Sequence, residues 1–364
     1  MAARSVETMG NVSGTVYSIS TAGSIVGTLF TAFYLIPSMG IKTIGFLIGG
    51  CLLVLSLSTF LLGKTGKKRL KPRYAAACFF FLVVLFNGRD SFDRTDALYE
   101  KDSLYYHIIV MEDHCCRYLK FDFDMRHFQS AMYLDLPYNS RLAYADYIPL
   151  SFAFNPTAND ILVIGLGGGS LPKMLYRINP GFNVDAVELD TEVVKIAEKY
   201  FYFKEGVHAN VFVNDARIFV KKTRNKYDII ILDAYKSEFI PYHLLTREYF
   251  EELSAILNDG GLLLLNMYDP HNRQINKPVI KTLRTVFNDT VLFDILPDAD
   301  IIVAGNSKHK TTLESLKIGA GTVKNKYGLD LGEKLNKWKA VRIGKDIPIF
   351  TDDYSPGSLY GSTG

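Results

Sequence analysis

The hydrophobic and polar positions divide the chain into a membrane-like region and a region typical of a mixed α/β domain. No charged residue occurs at positions 8–41 or 43–63, and each run is long enough to cross a hydrocarbon layer of ~30 Å as a helix. A shorter apolar run covers positions 75–86. After position 155, short apolar segments alternate with amphipathic ones, which predicts strands and helices that alternate in a doubly wound sheet.

The apolar runs predict two transmembrane helices, at about 12–36 and 43–63, and a third candidate at 75–87. The first run is too long for the apolar part of a signal peptide, and a second span follows it directly. Six lysine and arginine residues at 64–73 favour the cytoplasmic side and a contact with anionic membrane lipid. We therefore expect an integral protein of the cell membrane. We expect the domain after the apolar runs to be cytoplasmic, with the third run lying in the membrane plane; a third crossing would place that domain on the other side.

The sequence predicts four parts: a transmembrane region at 1–89, a small β-hairpin element with a linker helix at 90–155, a Rossmann-like domain at 156–305 and a C-terminal extension at 306–364. In the second part, strands are expected at 105–112 and 116–121, and a helix at 140–154. The third part is expected to close with an antiparallel pair of strands at 290–295 and 300–304.

A glycine-rich turn carries the first chemical signal. An apolar strand leads into Gly165, Gly167 and Gly169, and the next predicted strand ends at Glu188. Glycine lets the backbone approach a ligand closely, and an acidic side chain at the tip of the second strand can accept hydrogen bonds from ribose hydroxyls. The pair predicts a nucleoside site; the alternative is a tight turn that binds nothing.

Charge and cysteine content argue against two other classes of site. The net charge of +3 is accounted for by the basic residues beside the apolar runs, so we expect no nucleic acid partner. The four cysteines show no spacing typical of a metal site or of a disulfide framework. We therefore expect no metal cofactor.

Several segments together resemble the spermidine synthase family of aminopropyltransferases, over roughly residues 98–304. They are the hairpin before the sheet and the stretches 163–170, 187–190, 214–217 and 231–235. The two apolar helices, the stretch 233–250 and the closing Thr-Asp-Asp-Tyr-x-Pro at 351–356 look like the membrane-fused spermidine synthase-like proteins of prokaryotes.

The resemblance implies a Rossmann-like S-adenosylmethionine-dependent methyltransferase fold, which binds decarboxylated S-adenosylmethionine and transfers its aminopropyl group to a polyamine such as putrescine. It implies that Glu188 holds the ribose hydroxyls and that Asp215 and Ala216 flank the adenine. Asp215 could equally be the N-cap of a helix. Asp233, at the end of a buried strand, would accept the proton of the attacking amine. The resemblance also implies a small-molecule amine acceptor and a homodimer.

Four more residues are expected to face the acceptor: Tyr106, Tyr144, Asp146 and Tyr235. Three positions depart from the family pattern. Gly168 stands where the family has an aspartate that pairs with the donor amine, Lys236 replaces a proton-accepting carboxylate, and Tyr106 replaces a glutamine. Glu238, Glu248 or Asp146 could supply the lost carboxylate.

These departures leave two alternatives open. The first is a methyltransferase that uses S-adenosylmethionine itself, because Gly-x-Gly-x-Gly is the usual turn of that fold and the amine-pairing aspartate is absent. The second is a membrane protein that binds an adenosyl metabolite without turning it over. The donor that binds distinguishes the two transferases, and the absence of any product identifies the non-catalytic protein.

Overall fold

The computed structural model describes residues 6–36, 44–53, 97–121, 127–235, 239–268, 275–297, 299–307 and 309–354. The chain divides into two compact units, Met1–His107 and Ile108–Gly364.

The first unit contains one described helix that is long and apolar enough to cross a membrane. Helix α1 (Val6–Phe30) continues into a π-helical turn, and the span Val12–Leu35 has a mean hydropathy of 1.3. The apolar helix α2 (Ile44–Leu53) is shorter. The rest of the second predicted span and the whole third candidate lie outside the described residues, so a second and a third crossing remain predictions. Strand β1 (Ala97–Asp102) also belongs to this unit.

The second unit opens with a small antiparallel sheet. Strands β2 (His107–Glu112), β3 (Cys116–Phe121) and β4 (Ser130–Tyr133) pair in that order, with Val110 opposite Leu119. The hairpin predicted from sequence is therefore present. Its first strand begins later than position 105, because residues 103–106 form a hydrogen-bonded turn instead.

An eight-stranded sheet forms the core, in the order β12-β10-β11-β9-β8-β5-β6-β7. The strands are β5 (Asp160–Ile164), β6 (Asn183–Glu188), β7 (Asn210–Val213), β8 (Tyr227–Leu232), β9 (Leu257–Tyr268), β10 (Asp289–Leu296), β11 (Ala299–Gly305) and β12 (Trp338–Lys339). Strands β5 to β9 are parallel, whereas β11 runs antiparallel between β9 and β10. This topology confirms the Rossmann-like methyltransferase fold class and contains the predicted closing pair.

Helices cover both faces of the sheet, as the long apolar strands require. The helices are α3 (Ser151–Phe154), α4 (Ser170–Ile178), α5 (Thr191–Tyr200), α6 (Ala216–Lys222), α7 (Arg247–Ala255), α8 (Asn276–Leu283), α9 (Leu313–Tyr327) and α10 (Gly332–Leu335). Successive residues of β9 enter opposite cores: Leu262 and Leu264 pack on one face, Leu263 on the other. Two buried cores therefore hold the strand ends in place.

Helix α9 was not predicted from the weakly periodic C-terminal sequence. It begins with a capping box at Thr312 and ends at Gly328, whose φ is +70°. The helix packs on α3 so closely that a Cβ added to Gly319 would lie 1.9 Å from the Ala153 carbonyl oxygen. This close packing joins residues beyond 305 to the sheet.

Candidate functional site

The sequence-predicted residues meet at one edge of the sheet, where the parallel strands have their carboxyl ends. Following strand order, this edge carries Asn266 on β9, Asp233 after β8, the glycine turn after β5, Glu188 on β6 and Asp215 after β7. Adjacent strands lie about 4.8 Å apart, so Asp233 and Asp215 are separated by three strand spacings, or about 14 Å. Ligands of open α/β sheets bind at this edge.

The glycine turn has a backbone that other residues could adopt only with strain. Gly165, Gly167 and Gly169 have φ values of +97°, +51° and +69°. A Cβ at Gly165 would lie 2.3 Å from the Asp233 carbonyl oxygen. The turn after β5 and the loop after β8 are therefore in direct backbone contact, and Gly165 is the residue that allows it.

Glu188 is buried at the tip of β6. Its carboxylate accepts hydrogen bonds from the backbone N–H of Leu166 (3.0 Å) and of Asp190 (3.1 Å). Burial raises the pKa of Glu188, and the backbone N–H donors act against that effect. The first hydrogen bond ties the end of β6 to the glycine turn.

Asp215 is the N-cap of α6, with its carboxylate accepting from the Ile218 N–H at 2.9 Å. This is the alternative role that the sequence left open, and Ala216 is the first residue of the helix. The second Asp215 oxygen lies 3.7 Å from Nε2 of His243. Capping thus uses one carboxylate oxygen of Asp215, and the other oxygen lies beside the His243 ring.

Asp233 follows β8 and accepts two side-chain hydrogen bonds. The Tyr144 hydroxyl donates to Oδ2 (2.7 Å) and the Asn266 amide donates to Oδ1 (2.9 Å). Burial raises the pKa of Asp233 to about 6, while the two donors counteract the rise. Burial, and then the Asp233 charge, raise the pKa of Tyr144 well above its usual value, so the phenol remains a proton donor.

A cavity of about 240 Å³ lies against Asp233. Its walls are mainly aromatic and apolar. It is lined by His127, Phe128, Gln129, Leu142, Ala143, Tyr144, Asp233, Tyr235, Asn266, Tyr268, Leu296 and Ala299. Asp233 is the only carboxylate among these described lining residues, so a cationic group in the cavity would find its charge partner there.

Of the expected acceptor residues, Tyr144 and Tyr235 line this cavity and Asp146 does not. Residues 143–150 form a 3₁₀-helix rather than the expected α-helix, with Pro149 inside it. At three residues per turn, positions two apart point in different directions, and Asp146 is exposed. Tyr106 lies in the first unit, in the turn with Ser103.

The structure describes two of the three departures from the family pattern, Gly168 and Tyr106, and one further candidate for the lost carboxylate, Glu248. A Cβ at Gly168 would lie 2.9 Å from the Phe201 ring and 3.0 Å from the Ser130 Cβ, so these side chains occupy the space of a larger residue. Glu248 accepts from the Asp352 N–H (3.0 Å) and is not among the cavity residues. Lys236 and Glu238 lie outside the described residues.

Asn266 is a site residue that the sequence analysis missed. It is 96% buried, and its side-chain oxygen has no hydrogen-bond partner among the described residues. Its position could have been found as the first polar residue after the apolar run 262–265, at the carboxyl end of a strand beside β8.

One cluster of possible metal ligands occurs among the described residues, formed by Asp113, Cys115 and Cys116 within 4.8 Å. Asp113 already accepts from the N–H groups of both cysteines. Hydrogen bonding to Cys116 raises the pKa of Cys115 to about 12, which favours the neutral thiol over the thiolate that a metal binds. The cluster is therefore better described as the turn between β2 and β3.

Comparisons with known proteins agree with this geometry. Residues 145–297 match the spermine/spermidine synthase domain family. The chain is 36% identical over 212 residues to a polyamine aminopropyltransferase of Vibrio vulnificus, a match that covers 56% of this chain and 70% of that protein. A polyamine aminopropyltransferase of Chromobacterium violaceum is 28% identical over 217 residues, covering 58% of this chain and 82% of the relative.

Two further similarities are to a solved structure and to a methyltransferase homologue. A probable spermidine synthase of Corynebacterium glutamicum has the same fold, with a TM-score of 0.56 at 17% identity, over 71% of this chain and 97% of that structure. A Drosophila melanogaster homologue of an eEF1A lysine and N-terminal methyltransferase is 27% identical over 173 residues, which are 45% of this chain and 26% of that protein. From the length and identity of the Vibrio match, the chain belongs to the polyamine aminopropyltransferase family.

Proposed function

We propose that this protein transfers an aminopropyl group from decarboxylated S-adenosylmethionine to a primary amine of a small polyamine such as putrescine. The observation that carries the proposal is the partly buried Asp233 carboxylate, which faces the cavity and directly follows β8, the strand paired with β5 before the glycine turn. A positively charged donor and an amine acceptor can thus meet beside one anionic group.

The nucleoside end of the site consists of the glycine turn 165–169, Glu188 and Asp215. A carboxylate has about four acceptor positions, so Glu188 can accept from ribose hydroxyls in addition to its two backbone donors. Asp215 would accept from the exocyclic amine of the adenine, with Ala216 beside the base. The glycine backbone would leave room for the ribose and sulfonium.

The acceptor end consists of Tyr144, Asp233 and Asn266. In the proposed step the amine nitrogen attacks the methylene carbon next to the sulfonium, and the carbon–sulfur bond breaks with its electron pair remaining on sulfur. The sulfur becomes the neutral thioether of methylthioadenosine, and Asp233 accepts the proton that the nitrogen loses. The free Asn266 side-chain oxygen would accept a second amine N–H and so orient the nucleophile.

A direct test incubates the full-length protein with decarboxylated S-adenosylmethionine and putrescine, and follows spermidine and methylthioadenosine by mass spectrometry. The proposal expects both products in equal amounts. Product formation with wild-type protein but not with Asp233→Asn would support the assignment of Asp233. No methylthioadenosine with putrescine, or with longer and shorter diamines, would contradict aminopropyl transfer.

Methyl transfer is the second candidate, and the packing at Gly168 favours it. Phe201 and Ser130 fill the space where the family aspartate would pair with the donor amine, and residue 168 itself carries no carboxylate. The similarity to a methyltransferase homologue points the same way. S-adenosylmethionine, given in a parallel reaction, would then yield S-adenosylhomocysteine.

We also propose that α1 anchors the protein in a membrane and that the basic stretch 64–73 contacts anionic lipid on the cytoplasmic side. The support is the apolar span Val12–Leu35 and the six basic residues in the sequence. Resistance of the membrane-bound protein to alkaline carbonate extraction would agree with an integral anchor, and release would contradict it. The homodimer remains a prediction, which light scattering of the purified protein would test.

A further inference from the structure

The C-terminal strap, residues 350–354, is anchored in the sheet domain at its first residue. Phe350 is fully buried and packs against the ring of Tyr242, with centroids 5.4 Å apart. Its N–H donates to the Thr282 hydroxyl (2.9 Å) and its carbonyl accepts from the Arg247 N–H (2.9 Å). These bonds fix the start of the strap on α7 and α8.

Asp352 forms an ion pair with Arg217. Its two oxygens accept from two nitrogens of Arg217, each at 2.7 Å, in the paired geometry that suits a guanidinium. Glu252 on α7 holds the same guanidinium at 2.8 and 2.9 Å. Hydrogen bonds to Glu252 and then to Asp352 raise the pKa of Arg217, and Arg217 lowers the pKa of Asp352. The pair therefore stays charged near neutral pH.

The strap reaches both sides of Asp215. Arg217 is the second residue of α6, the helix that Asp215 caps. Arg217 also donates to the His243 carbonyl at 3.4 Å, and the His243 ring lies 3.7 Å from Asp215. On the same loop, the Tyr242 hydroxyl donates to the Thr351 carbonyl (2.8 Å). The strap thus joins the helix that follows Asp215 to the loop that faces it.

We propose that Asp352 is a positioning residue for recognition of the donor's base. It fixes α6 and His243 so that the Asp215 carboxylate is held where the exocyclic amine of the adenine binds. This proposal rests on the nucleoside end of the proposed function. Because Asp215 and Asp233 are separated by about three strand spacings, loss of Asp352 affects donor binding and leaves the chemical step largely unchanged.

The test compares two neighbouring charge changes in the full-length protein, Asp352→Asn and Asp353→Asn. Asp353 is exposed, and its side chain makes no ion pair within the described residues. Calorimetric titration uses methylthioadenosine and its inosine counterpart, which lacks the exocyclic amine. For Asp352→Asn we expect methylthioadenosine to bind about fivefold more weakly, the preference for adenine over hypoxanthine to shrink by a similar factor, and Asp353→Asn to match wild type.

Steady-state kinetics provide a second, independent measurement. For Asp352→Asn the KM for the donor should rise about fivefold, and kcat should stay within about twofold of the wild-type value. Equal binding by the two variants would overturn the proposal. So would an equal loss of both nucleosides, because a purely structural role does not change base preference. If wild-type protein binds neither nucleoside, the proposed function itself fails, whatever the strap does.

Folding of Asp352→Asn is checked by thermal unfolding. If it does not fold, Tyr242→Phe replaces it, since this change removes the bond to the Thr351 carbonyl and keeps the ring against Phe350. An approximately twofold weaker preference for adenine is then expected. An unchanged preference in Tyr242→Phe would overturn the proposal.

Discussion

The nucleoside end and the acceptor end of the site share one edge of the sheet but differ in how they are assembled. The glycine turn and Glu188 belong to consecutive strands and are joined by the bond from the Leu166 N–H. Asp233 instead receives its partners from far along the chain: Tyr144 lies 89 residues before it and Asn266 lies 33 residues after it. Local sequence therefore builds the first end, and only the folded sheet builds the second.

The two ends also differ in how their polar groups are used. At the nucleoside end, backbone N–H groups already hold the Glu188 carboxylate. At the acceptor end, side chains rather than backbone N–H groups donate to the Asp233 carboxylate, and the side-chain oxygen of Asn266 is buried without a partner among the described residues. A buried polar atom without a partner, beside a carboxylate that faces a cavity, is typical of the place where chemistry occurs. We therefore expect changes at the acceptor end to lower turnover, and changes at the nucleoside end to lower binding.

The largest expected effect is that of Asp233→Asn. Loss of the proton acceptor should lower kcat by roughly 10³-fold. The affinity for methylthioadenosine, measured by calorimetry, should stay within about twofold because the nucleoside end is intact. Asp259→Asn, an exposed change at the start of β9, is the matched control. A comparable loss of nucleoside affinity in Asp233→Asn would remove the distinction between the two ends.

The Asp233→Asn variant should also be more stable than the wild-type protein above pH 6. The folded-state pKa of Asp233, about 6, lies above its ordinary value of 3.8, so its protonated form is the one that stabilises the fold. That contribution is complete below the unfolded-state pKa and is lost as the pH rises through about 6. Thermal unfolding should show a gain for Asp233→Asn on the order of 1–3 kcal/mol at pH 8, and little gain at pH 4.

Glu188→Gln should weaken nucleoside binding and leave turnover nearly unchanged, the reverse of the effect expected for Asp233→Asn. The glutamine amide has only one oxygen that accepts hydrogen bonds, whereas both oxygens of the Glu188 carboxylate accept them. Nucleoside binding should therefore weaken by roughly 10- to 50-fold. At saturating donor, kcat should fall less than about threefold. Titration with methylthioadenosine and kinetics at high donor concentration measure the two quantities. A large fall in kcat at saturation would mean that Glu188 also contributes to the chemical step.

Gly168→Asp tests why the nucleoside end departs from the family pattern. The added side chain meets the Phe201 ring and Ser130, so the free energy of unfolding should fall by about 1–3 kcal/mol without a gain in activity. Phe201→Leu should partly relieve the clash, giving a double variant less destabilised than the sum of the single changes. Additive losses in chemical denaturation would contradict the packing explanation.

The smallest expected effect is that of Tyr144→Phe. This change removes a hydrogen bond that lowers the pKa of Asp233, so that pKa should rise further. In wild type, kcat/KM should fall about tenfold per pH unit below pH 6, where Asp233 becomes protonated. In Tyr144→Phe this limb should move to higher pH, with kcat about fivefold lower at neutral pH. Tyr147→Phe, whose ring does not line the cavity, is the control.

Sequence analysis predicted more of the nucleoside end than of the acceptor end. The glycine turn and Glu188 were inferred from strands that local patterns define, whereas Asp215, Tyr144 and Tyr235 were named from the family resemblance. Asp146 was expected beside Tyr144, but the 3₁₀-helix directs it to solvent. Asn266 and the strap contact between Asp352 and Arg217 were missed, because each depends on a partner distant in sequence.

The sequence by itself determined the alternation of apolar strands and amphipathic helices, the glycine positions that permit a left-handed backbone, and the apolar N-terminal span. These features depend on neighbouring residues, whose periodicity and conformational freedom are encoded locally. Only the tertiary structure decided which side chains surround Asp233, why Gly168 has no room for a side chain, and how the strap reaches Arg217. Those features arise from burial and from contacts across the sheet, where residues far apart in sequence share one hydrogen bond or one packing space.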